Sequence, residues 1–216
     1  MQVFFSDDDR RRYLTLFAFY ARKYEVDLLS FTLMPNHVHH LVVPPSPRAL
    51  SRVMQFTHRE FARAVNERFD WSGHLWQERF YSSPVDPEYL MTVLRYIEQN
   101  PVRAELAPHP ELYEWSSAAV RSGRSDVIAL ATTGRWVEEI NRIREWDAWL
   151  RQPVDEKTVQ FVRDQTWRDL PVGSPEFISR LERQTGQCLR PRPVGRPPGR
   201  GRAVRRGKSS EDEGLK

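Results

Sequence analysis

The chain has 216 residues, enough to bury a core in one or two domains, and 39% hydrophobics with seven Trp, seven Tyr and eleven Phe exclude a wholly disordered polymer. No apolar run approaches the roughly 18 residues that cross a bilayer, and the opening MQVFFSDDDRRR lacks the pattern of a signal peptide. A single cysteine, Cys188, excludes a disulfide framework and a thiolate-rich metal site and points to a reducing, cytoplasmic setting without a membrane partner.

Residues 7–24 carry acids in their first turn and Leu14, Phe17, Ala18 and Ala21 at helical spacing, which predicts a helix. Val26–Leu33 is a short β-branched, apolar run and predicts a strand; Met34-Pro35-Asn36 turns the chain. His37–Val43 predicts a second strand, paired with the first as a hairpin. Pro47 opens a helix to about Phe69, with an apolar stripe through Leu50, Val53, Met54, Phe61, Ala64 and Val65. Gly73 breaks the chain, and Trp76–Val85 reads as a third strand. Asp86-Pro87 starts a further helix that ends near Asn100-Pro101.

This order, α-β-β-α-β-α, needs one strand in front to become βαββαβ. The expected fold is therefore α+β: a ferredoxin-like antiparallel sheet with helices on one face. Only Gln2–Phe5 precedes the first helix: either it is a short strand, or the first strand of the sheet is missing, through a start assigned too late or through truncation. Val137–Leu150, Val159–Trp167 and a segment capped at Ser174-Pro175 read as helices. The organisation expected is a first domain over 1–120, a helical extension over 121–187 and a disordered basic tail over 188–216. That tail holds nine basic and three acidic side chains, a net +6, while the rest of the chain is at −2. Four Pro and five Gly give it too little apolar surface to fold, and its charge attracts polyanions. Its Val194-Gly195-Arg196-Pro197-Pro198 resembles the core of an AT-hook, an extended arginine segment laid in the minor groove.

His37 and His39 lie two apart on a strand, so both imidazoles share one face, while His40 points the other way with Val38. Two imidazoles so placed can bind a divalent cation, but the pair is incomplete; the alternative is two polar residues on a solvated face. On the helix after Pro87, Leu90, Val93, Leu94 and Ile97 form an apolar stripe, with Tyr89, Tyr96 and Asn100 along one edge. Asn100 reads equally as a helix cap, and Tyr96 as an amphipathic residue at a core margin.

Leu33-Met-Pro-Asn-His-Val-His-His-Leu-Val-Val43 resembles the His-hydrophobic-His signature of single-tyrosine HUH transposases. Arg95-Tyr-Ile-Glu-Gln-Asn-Pro-Val-Arg-Ala104 is similar to that family's tyrosine helix. With Trp76-Gln-Glu-Arg-Phe80, Trp115-Ser-Ser117, Gly173-Ser-Pro-Glu-Phe177 and the Arg-Pro tail, the set resembles the REP-associated tyrosine transposase branch. The resemblance implies a transposase that cleaves and rejoins single-stranded, hairpin-forming DNA through a 5′-phosphotyrosine. It implies Tyr96 as nucleophile, with Tyr89 in reserve. His37, His39 and Asn100 become ligands of Mg²⁺ or Mn²⁺, and the chain works at the bacterial nucleoid as monomer or homodimer. Arg79 and Trp76, with Arg196, Arg200 and Arg202 of the tail, are the expected DNA contacts. The competing readings are an inactive, truncated or domesticated DNA-binding protein, a rolling-circle initiator and a zinc hydrolase. The last two lack support: there is no P-loop, and no H-E-x-x-H or three-His set nearby.

Overall fold

The computed structural model describes residues 2–191; the expected basic tail contacts Arg196, Arg200 and Arg202 lie outside the described residues. Helix α1 (Asp7–Lys23) leads into strand β1 (Asp27–Leu33), strand β2 (Val38–Val43) and helix α2 (Pro47–Phe69). A loop and a 3-10 turn precede α3 (Leu90–Glu98), which is followed at once by α4 (Asn100–Arg103) and then α5 (Ser117–Arg121). Beyond these lie α6 (Arg135–Asn141), α7 (Trp146–Arg151), α8 (Glu156–Trp167) and α9 (Pro175–Thr185). Among the described residues the sheet has two antiparallel strands, with Leu33 opposite Val38, Thr32 opposite His39 and Phe31 opposite His40. Among them, too, no helix is long and apolar enough to cross a membrane.

Helix α1 starts where Ser6 and Asp9 close a capping box. Asp9 also grips Arg68 near the end of α2 at 2.6 and 3.0 Å. Burial opposes ionisation of Asp9, yet Arg68 and the amides of Phe5 and Ser6 hold its carboxyl below the usual range. Thus α1 and α2 are joined by a half-buried ion pair as well as by apolar packing.

Strand β1 is buried on both faces. Phe31 and Leu33 face a core with Tyr13, Leu14 and Phe17 of α1 and Val53 and Phe61 of α2. The irregularity between Leu28 and Ser30 turns Leu29 to the opposite face, where it joins Leu41, Leu90, Val93, Leu94 and Ile97. Helices therefore cover both faces of the hairpin rather than one, because both faces of β1 carry side chains that need burial. The outer edge of β1 is occupied by the chain after Tyr113: Leu33 N–H donates to Trp115 O at 2.9 Å, and Ala131 N–H to Leu28 O at 2.9 Å.

Two further expectations are corrected. Trp76–Val85 is not a strand. Trp76 and Phe80 pack on the core, but among the described residues no strand pairs with residues 76–84, and Pro84 has no N–H for a ladder. Only Val85 pairs, in an isolated parallel bridge with Val172. Gln2–Phe5 forms no strand either; the amides of Val3 and Phe4 share the carbonyl of Pro35. What the structure contains is a two-stranded α+β arrangement. The segment 137–150 is two helices, α6 and α7, separated at Arg142–Glu145.

The approach to α3 is anchored by Asp86. Its carboxylate accepts from Ser174 N–H at 3.1 Å and from the Ser174 hydroxyl at 2.8 Å, and its own N–H donates to Val172 O at 2.8 Å. Gly173 permits this close approach: a Cβ there would lie 2.6 Å from Asp86 Cβ and 2.7 Å from a Phe177 ring carbon. Gly173→Ala should therefore destabilise the fold by about 1–3 kcal/mol, read from the denaturant midpoint, without loss of helical circular dichroism.

His58 offers a second check. It stacks on Trp76 with ring centroids 4.1 Å apart and meets the Tyr13 hydroxyl at 3.2 Å. Burial lowers its pKa from 6.5 to about 4. The unfolded chain then binds the proton more readily than the folded one, so this stabilisation is complete above the unfolded value and is lost as pH falls towards about 4. Thermal midpoints measured from pH 7 to pH 4.5 should fall by several degrees, and His58→Gln should reduce that dependence.

Candidate metal and tyrosine site

The β1–β2 turn and the end of α3 bring three sequence-predicted groups together. His37, the residue just before β2, and His39 of β2 converge, with their Nε2 atoms 3.1 Å apart. The ring of Tyr96 stands 6.0 Å from that of His39, nearly perpendicular to it at 80°. His40 turns to the other face, as its register demands, and stacks on Phe17 at 4.3 Å. It belongs to the core.

The two imidazoles are poised as neutral donors. Burial, then the neighbouring His37 and Arg103, lower the pKa of His39 to about 3; partial desolvation lowers that of His37 as well. Asn36 Oδ1 lies 2.7 Å from His37 Nδ1. An amide oxygen can only accept, so Nδ1 carries the proton and Nε2 presents its lone pair. Two nitrogens adjacent in an octahedral shell at about 2.1 Å stand about 3.0 Å apart, so the pair fits two positions of a divalent cation. Among the described residues no group of three His, Cys, Asp or Glu converges to hold one.

Asn100 opens α4 instead of capping α3; Pro101 is tolerated because it falls in the first turn. The Asn100 amide nitrogen donates to the Tyr96 carbonyl at 3.1 Å, which leaves Oδ1 as the atom able to act as a ligand. Tyr89 is directed elsewhere, packing 6.0 Å from Phe161 of α8.

Two residues without a role in the sequence reading belong to this neighbourhood. The Arg103 guanidinium lies over the Tyr96 ring, 4.7 Å from its centre, and also donates to the Tyr96 carbonyl. Tyr96, also a member of the apolar cluster of α3, is only 5% exposed. Glu98 is completely buried; the Ser117 hydroxyl approaches it at 2.5 Å and Arg121 at 3.8 Å. Burial raises its pKa, against the opposing pull of Arg121 and the serines. The motif around Tyr96 contained both residues, but spacing alone does not show which side chain a helix turns inward.

The expected DNA contacts lie apart from this cluster. Trp76 stacks on His58 and donates to the His58 carbonyl at 3.1 Å, on the His40 side of the hairpin. Arg79 is exposed and 3.7 Å from Asp169, near the stacked pair Tyr81 and Trp167.

Residues 1–100 match the family model described as Transposase IS200 like. Over that segment the chain is similar to IS200-like transposases. His37, His39, Tyr96 and Asn100 all lie within the matched span. No curated protein and no solved structure matches the chain.

Proposed function

We propose that this chain is an IS200-like transposase of the REP-associated branch, acting on single-stranded, hairpin-forming DNA. The observation that carries the reading is the convergence, from separate elements, of the His37–His39 pair and the Tyr96 ring. The Tyr96 oxygen attacks a backbone phosphorus; the phosphodiester bond to the 3′ oxygen breaks, leaving a 5′-phosphotyrosine and a free 3′-hydroxyl. The retained ester then accepts a second 3′-hydroxyl, and Tyr96 is released. His37 and His39, with Asn100 as third donor, hold Mg²⁺ or Mn²⁺. When bound, that cation supplies Lewis-acid polarisation of the scissile phosphate, which a phenol of pKa near 10 needs at neutral pH. Asn36 holds His37 in the donor tautomer. Arg103 lies over a face of the Tyr96 ring, where its guanidinium can meet the phosphate that the phenol attacks.

The burial of Tyr96 beneath Arg103 also favours a second reading, in which the scaffold binds hairpin DNA without cutting it. An SDS-resistant complex with a labelled single-stranded oligonucleotide carrying the hairpin separates the two. Wild type plus Mn²⁺ should form it; Tyr96→Phe should not, while binding the oligonucleotide with a Kd within about twofold of wild type. An adduct in Tyr96→Phe would move the role to another tyrosine. His39→Ala should weaken Mn²⁺ binding, measured by calorimetry, by at least about tenfold; unchanged affinity would remove the metal site.

A further inference from the structure

Pro101 leaves a gap in the helix that carries Tyr96. In a continuous α-helix each carbonyl accepts from the N–H four residues on. For Ile97 that residue is Pro101, which has no N–H. Ile97 is only 4% exposed, so water does not readily replace the bond.

The fully buried hydroxyl of Thr32 reaches this carbonyl at 2.9 Å. It lies also 2.8 Å from the carbonyl of the neighbouring Phe31, but the bond to Ile97 is the one that replaces a missing helical donor. On the same face of β1, Ser30 donates to Glu98 at 3.1 Å. Ser117 closes the set, 2.9 Å from the Ser30 hydroxyl and accepting from Phe31 N–H at 2.9 Å. Two adjacent helix residues, 97 and 98, are thus fastened to two same-face strand residues, 32 and 30. Thr32 is the register partner of His39. The strand position that holds the helix next to Tyr96 is therefore the one that faces His39 across the hairpin.

We propose that Thr32, supported by the Ser30–Glu98–Ser117 cluster, is a positioning residue that sets Tyr96 against the His37–His39 pair. Its catalytic consequence rests on the strand-transfer reading above. Its structural consequence does not: the bond that Pro101 removes from the helix is supplied from the strand, and the Tyr96–Arg103 segment keeps its register only while that hydroxyl is present.

Thr32→Val tests this, because valine keeps the shape and the β-branch while deleting the hydroxyl. In the full chain it should slow adduct formation on the labelled hairpin oligonucleotide with Mn²⁺ by at least about tenfold, with the Kd for that DNA within about twofold. Thr32→Ser should restore the rate to within about threefold. Amide hydrogen exchange over residues 96–103 should accelerate in Thr32→Val while α1 and α2 stay protected. Wild-type rate and exchange in Thr32→Val, or exchange that rises equally throughout the chain, would overturn the proposal. Should Thr32→Val fail to fold, Ser30→Ala is judged by the same local exchange criterion. If wild type forms no adduct, the strand-transfer reading falls, and the exchange pattern alone upholds or overturns the positioning role.

Discussion

The burial of β1 on both faces is the constraint from which the site follows. One face is held by α1 and α2 through Phe31 and Leu33. The other receives α3, and because this side of the strand presents Ser30 and Thr32, the helix must supply acceptors as well as apolar groups. Those polar contacts give the packing a unique register: an apolar face could slide by a helical turn at modest cost, whereas a buried hydroxyl or carboxylate without a partner costs about 1–3 kcal/mol. Strand β2 then inherits its position from β1, and with it the placement of the two histidines.

The electrostatics of the region are those of a desolvated site with unequal partners. Burial works against the charged form at His39, Glu98, Arg103 and Arg121 alike. For the histidines this keeps the lone pairs that a cation requires. For Glu98 the neighbouring serines and Arg121 pull the other way, so the carboxyl is a structural acceptor shared by three elements. Arg103 differs: it is stacked on an aromatic ring and bonded to a carbonyl but faces no carboxylate within ion-pair distance among the described residues. A cation held in this way beside a phenol suits a phosphate partner.

Much of the local structure was legible before the coordinates. α1, α2 and both strands begin and end within about two residues of their expected limits because each is marked by local chemistry: acids in the first turn of α1, Met34-Pro35-Asn36 as a turn, Pro47 in a first helical turn. The opposite facing of His39 and His40 follows from alternation alone. The Trp76–Val85 segment misled because its composition suits a strand while its partners do not exist there. Trp76 finds its burial against His58 and Phe61 of α2, Phe80 packs on the same cluster, and no ladder among the described residues competes for their backbone.

By itself, then, the sequence determined which side chains share a strand face, where helices begin, and that His37 and His39 point together, since these depend on covalent spacing and neighbouring residues. It also carried the two motifs whose segment matches IS200-like transposases. Only the tertiary structure decided that Tyr96 meets His39, that Arg103 covers it, and that Thr32 completes a helix bond lost to Pro101. The contacts of Tyr96 with His39 and of Thr32 with Ile97 join residues tens of positions apart, and their geometry is set by how two faces of one strand are buried, a property no local spacing encodes.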